Sequence, residues 1–155
     1  MSSRAFMAYD IENQIADTEG KVAGKVYEKE ISITSAEIKL LVTVPKLLVA
    51  APGPGKVIEF MSAMLFLDYT APVYTTNTSI TVQTVTGNTA LSGAVTAATF
   101  LDLGADSYVV MAALGTAAGV VTNVNDGLEL IAIGVPAAGN STMKIKVFYR
   151  ILDFN

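Results

Sequence analysis

From residue 31 onward, apolar positions recur mainly at every second residue, the period of a half-buried strand. Ile31 and Ile33 mark a strand end, and residues 35–38 are placed to cap one helical turn ahead of the apolar run 40–44, which reads as a strand. Pro45 interrupts that run, since a residue without an N–H belongs at an edge or a bend. Residues 47–50 form a second short strand, and the Pro-Gly-Pro-Gly sequence 52–55 is a rigid turn. Residues 56–69 are the longest strand candidate; their middle is apolar on both faces, as in a central strand covered on both sides, and the period alone does not separate this run from a helix. Residues 79–86 alternate, with Ile80, Val82 and Thr84 on one face, before a turn at Gly87-Asn88. One or two helical turns over 97–103 end at Gly104. Residues 107–114 are again β-like, and 120–124 are expected to pair with 128–133 across Asn125-Asp126-Gly127. In the closing strand, 141–153, Met143, Ile145, Val147, Tyr149 and Ile151 share one face, and Lys144, Lys146, Phe148, Arg150 and Leu152 the other.

About eight strands with frequent turn signals predict an all-β fold, an antiparallel β-sandwich of jelly-roll-like form. No propeller- or solenoid-length repeat recurs along the chain. Residues 1–30 differ from the rest and read as an extended N-terminal arm before the sandwich domain of residues 31–155. Within the arm, Met7, Ile11 and Ile15 lie four apart, so a short helix behind Ser2-Ser3 would align them, while Gly20 and Gly24 end the pattern and residues 22–30 look extended.

Composition sharpens this picture. The chain is 52% hydrophobic and only 15% charged, against about a quarter charged in an average domain. It contains no His, Cys or Trp, which removes the residues behind most metal sites, acid–base catalysis and nucleophile activation and points away from an enzyme. A net charge of −4 disfavours nucleic acid as a partner. The charge is also uneven: residues 1–30 carry ten of the twenty-four charged side chains, and residues 57–143 contain no Lys or Arg. No export signal is recognisable at the start, and the longest uncharged stretch, 69–101, is too rich in Thr, Asn and Ser to span a membrane.

The motifs that suggest chemistry resolve into structure. Residues 50–57 superficially match a phosphate-binding loop, but Ala50 and Val57 replace the required Gly and Ser/Thr, and Pro54 removes a cradling N–H. Residues 123–129 have the flavour of a calcium loop in the wrong register, and Asp102 and Asp106 around Gly104 are better explained as helix-capping carboxylates than as a calcium site. Asp68, Asp102, Asp106, Asp126 and Glu129 would be the candidates for a glycosidase pair, but the aromatics that stack on sugars are scarce. The sequons at Asn77 and Asn140 lack an export context. No catalytic, cofactor-binding or metal residue is assigned. The Thr- and Ala-rich segment 71–99 reads as β surface open to contact with another chain.

Several stretches look familiar: Ile33-Thr34-Ser35-Ala36-Glu37-Ile38, then residues 43–58 from Thr43-Val44-Pro45 to Lys56-Val57-Ile58, then Leu65-Phe66-Leu67-Asp68-Tyr69 and the closing residues 144–152. In this order, over residues 31–153, the chain resembles small all-β virion proteins of tailed bacteriophages, some of them head decoration or cement proteins. The resemblance implies a jelly-roll-like subunit, made in the host cytoplasm and located on the capsid surface, that binds the major capsid protein and copies of itself as a dimer or trimer. It carries over no functional residue. The expected interface residues are the arm's apolar side chains, Phe6, Met7, Tyr9, Ile11, Ile15, Val22 and Tyr27. Alternatives are a collar, tail or head-fibre subunit, and a carbohydrate-binding jelly roll.

Overall fold

A computed structural model describes residues 25–115, 119–120 and 122–154. Ten strands and two short helical segments follow one another: β1 (Val26–Ile33), α1 (Ser35–Leu40), β2 (Lys46–Val49), β3 (Lys56–Asp68), β4 (Tyr74–Thr75), β5 (Ser79–Thr84), β6 (Val95–Thr96), a 3-10 turn (Ala97–Thr99), β7 (Ser107–Ala112), β8 (Leu128–Ile133), β9 (Ala137–Ala138) and β10 (Thr142–Asp153). All pairings are antiparallel. Apart from the two-residue pair β4·β9, the strands are nested first with last: β1 with β10, β2 with β8, β3 with β7 and β5 with β6. Two further seams, β10·β3 and β8·β5, join them into sheets of order β1-β10-β3-β7 and β2-β8-β5-β6, the strand order of a jelly roll.

The core lies between the two sheets. Leu65, Leu67, Met143, Ile145 and Val147 come from the first, Leu48, Ile80, Val82, Leu128 and Leu130 from the second, with Ile38, Leu41 and Phe100 between elements. β10 presents the face expected from its alternation: Met143, Ile145 and Val147 are buried, whereas Lys144 and Lys146 are exposed. Among the described residues no helix is long and apolar enough to cross a membrane.

Residues 40–44 are not a strand. Thr34 caps α1: its hydroxyl accepts from the Glu37 N–H at 3.3 Å, and the Glu37 carboxylate accepts from the Thr34 N–H at 2.8 Å. Once that box starts a helix, Ile38 and Leu41 fall three apart on its inner side and are fully buried. Helix and turn use the apolar run that reads as β, and Val44 closes it by donating to the Leu40 carbonyl at 2.7 Å. Lys46, followed by the Thr34 N–H, holds the Glu37 carboxyl down to about 2.

Among the described residues the expected hairpin 120–124/128–133 does not form either. β8 already has β2 on one side and β5 on the other, so no edge is left for the preceding segment. The Asn125-Asp126-Gly127 turn instead ties three loops together. The Asn125 side-chain oxygen accepts from the Gly53 N–H at 2.9 Å, and its own N–H donates to the Lys56 carbonyl at 2.8 Å. The Asp126 carboxylate accepts from the N–H groups of Thr86 and Gly87 at 2.9 and 3.0 Å. Gly127 passes so close to β2 that a Cβ there would lie 2.6 Å from the Val49 carbonyl oxygen.

β3 contains the feature that positions the site. Phe148 pairs with Ser62 and Tyr149 with Phe60, so Met61 has no partner and forms a bulge. The bulge switches the facing residues from Ile58 and Phe60 to Ala63, Leu65 and Leu67. β3 is an interior strand, as expected, but only one of its faces is covered.

Candidate interaction face

After the bulge, Met64 and Phe66 point away from the core, and β7 places Val110 and Tyr108 directly opposite them. Two side-chain rows therefore cross the outer surface of the first sheet. One runs Glu30, Lys146, Met64, Val110, and the next Ser32, Lys144, Phe66, Tyr108. β7 is the edge strand, and among the described residues no strand flanks Tyr108 and Val110 on their outer side. Tyr108 is 72% exposed, Val110 60% and Met64 38%. The Phe66 and Tyr108 rings stack with centroids 4.7 Å apart and planes inclined by 25°, a geometry that fixes a flat aromatic platform. Glu30, Met64, Phe66, Tyr108, Lys144 and Lys146 line an open groove of about 190 Å³.

The charges around this platform are not equivalent. Lys146 lies 3.0 Å from Glu28 and 3.6 Å from Glu30, and the hydrogen bond to Glu28 raises its pKa. Lys144 has no hydrogen-bond or ion-pair partner among the described residues. The groove thus combines an apolar floor, the Lys146–Glu30 ion pair and one uncommitted cation, Lys144. The outer face of the second sheet is almost uncharged: Leu47, Ile131 and Ile133 project from it, and its one carboxylate, Glu129, is buried and accepts from the Gln83 amide at 2.7 Å.

Of the interface residues expected from sequence, Tyr27 lies on β1 with its ring 5.4 Å from that of Tyr149, and the Lys25 ammonium lies 5.5 Å from the Tyr27 ring centroid. Phe6, Met7, Tyr9, Ile11, Ile15 and Val22 lie outside the described residues. β1 begins at Val26, within the segment that differs from the body in composition. The aromatic platform is not among the sites expected from sequence. Its signal is the apolar character of both faces of residues 61–67, which reads as cover from the protein itself although one face is open.

Of the carboxylates considered for catalysis, Asp102, Asp106, Asp126 and Glu129 have structural partners. Asp106 accepts from the Tyr69 N–H at 2.8 Å, and Asp102 lies 3.1 Å from the Asn77 amide in its donating orientation. Burial would raise the Asp126 carboxyl, but the N–H groups of Thr86 and Gly87 and the Asn123 amide outweigh it and hold the group below the ordinary carboxylate range. No group of three or more His, Cys, Asp or Glu residues is arranged to hold a metal ion among the described residues.

No protein-family model matches the chain, and a search of curated proteins finds no match. The chain is similar to one in a solved structure, described as a cyanophage Pam1 capsid asymmetric unit. The two are 15% identical, with 84% of this chain and 89% of that chain covered, at a TM-score of 0.47. A likeness of that size carries no weight for function.

Proposed function

We propose that this chain is a structural subunit of a tailed-phage virion, a decoration or cement protein that stabilises the head through contacts with the major capsid protein and with copies of itself. The observation that carries the reading is the exposed Met64, Phe66, Tyr108 and Val110 platform on a jelly-roll sandwich whose second outer face is nearly free of charge. Exposed contiguous apolar surface marks interaction sites, and the resemblance of residues 31–153 to phage virion proteins supplies the setting. The mechanism is linkage: a subunit that binds only the assembled shell stabilises that shell by mass action and needs no catalysis. Within this reading, the residues before β1 act as an arm whose Phe6, Met7, Tyr9, Ile11, Ile15 and Val22 engage a neighbouring subunit, while Tyr27, expected in the arm, belongs to β1 of the sandwich.

Deleting residues 1–24 tests the role of the arm. The shortened chain keeps β1 and the whole described core, so it is expected to retain a β-type far-UV spectrum and cooperative unfolding. Its occupancy on particles lacking the native subunit, measured by co-sedimentation, is expected to fall at least tenfold. Unchanged occupancy overturns the arm's role.

A further inference from the structure

We infer that the outer platform of the first sheet, Met64, Phe66, Tyr108 and Val110 with Lys144 beside it, is the seat for residues 5–19 of a second copy of this chain. The inference rests on the reading of the residues before β1 as a subunit-reaching arm and assigns the surface on which that arm lands. The described chain starts at Lys25, one residue before β1, so twenty-four residues precede it. Fully extended they span up to about 80 Å, and as a helix about 36 Å, enough to cross a neighbouring domain of this size. Direction favours the neighbour. β1 runs from the Arg150 level of the sheet toward the platform, and Lys25 is five residues, about 17 Å, upstream of the Glu30 row. At its start β1 therefore lies at the end of the sheet away from the platform of its own copy.

The chemistry matches on both sides. Residues 5–19 bring Phe6, Met7, Tyr9, Ile11 and Ile15, and the platform offers two stacked rings, a methionine and a valine. The same segment carries Asp10, Glu12, Asp17 and Glu19 and no basic residue, and Lys144 is the cation on the platform without a partner. An arm from one copy seated on the face of the next is a heterologous contact, which closes into a ring if the rotation between copies allows it. That closure fits the dimer or trimer expected of the subunit.

The test uses the full chain. A photo-reactive benzoylphenylalanine replaces Val110 in an affinity-tagged copy, co-expressed with an untagged copy marked by Tyr9→Phe, and the irradiated protein is digested with trypsin. Expected is a cross-link from position 110 to the peptide of residues 5–21 that carries the Tyr9→Phe mark, because only the other copy supplies it. In parallel, the double variant Tyr108→Ser, Val110→Ser is expected to sediment at the same, lower mass as the chain lacking residues 1–24. Cross-links to the unmarked peptide alone mean that each arm covers its own face and overturn the inference, as do cross-links that omit the arm or an oligomer unchanged by the double variant. Both readouts are taken on isolated protein. Failure to bind particles with the cross-link present overturns the virion reading alone; particle binding without the cross-link overturns this inference alone.

Discussion

Leu65→Ala is expected to lower the free energy of unfolding by about 2–5 kcal/mol, while Met64→Ala, one residue earlier in the same strand, costs under about 1 kcal/mol. Leu65 is fully buried in the middle of β3, paired with Ile145 on one side and Val109 on the other. Removing its branched end leaves a cavity between the sheets that a close-packed core cannot collapse to fill. Met64 already has 38% of its surface exposed, so shortening it forfeits less burial and opens no enclosed cavity. In a chain of 155 residues, the larger loss moves the thermal midpoint down by on the order of 10 °C. Paired urea titrations check both values. Equal costs for the two variants would mean that the bulge at Met61 does not set the facing of β3, and the platform built on that facing would go with it.

Asp126→Ala is expected to cost about 1–3 kcal/mol, because it strands the N–H groups of Thr86 and Gly87 and loosens the turn that ties the loops around residues 53–56 and 85–87. The carboxylate is only 4% exposed, so water does not simply replace it. The pH dependence follows from the direction of its shift. A folded-state pKa below the ordinary value of 3.8 means that the charged form is favoured by folding, so the contribution is fully present above that value and is lost as pH falls through the lowered one. Stability of the native chain should therefore decline with acid below about pH 4 more steeply than that of Asp126→Asn, which cannot titrate. Equal acid slopes for the two proteins would remove the carboxylate from its assigned role.

Much of the fold is legible in the sequence because alternation is a local signal. The closing strand shows both of its faces, and the Pro-Gly turn at 52–55 and the run 79–84 fall where their residues place them. Two departures have the same cause: a local pattern is overridden by something only the chain as a whole decides. The apolar residues 40–44 are spaced acceptably for β, but the Thr34–Glu37 box upstream commits them to a helix end and a turn. The Asn-Asp-Gly turn at 125–127 is real, yet β8 is already paired on both sides, so the turn clasps loops in place of making a hairpin. Sequence shows that residues 61–67 are apolar on both faces. It does not show that one of those faces lacks a covering element, because that depends on the order of strands in the sheet and on the unpaired Met61. The platform of Met64, Phe66, Tyr108 and Val110 exists only once β3 and β7 are neighbours in register.

The proposed role is one of contact, as a many-copy component of a virion head. The platform and the outward Leu47 and Ile133 of the second sheet are explained as surface that meets another subunit. Quantitative gel densitometry of purified particles, calibrated against the major capsid protein, tests that claim most directly. A decoration subunit gives hundreds of copies per particle; a handful of copies would assign the chain to a collar, tail or fibre, and its absence from particles would overturn the virion role.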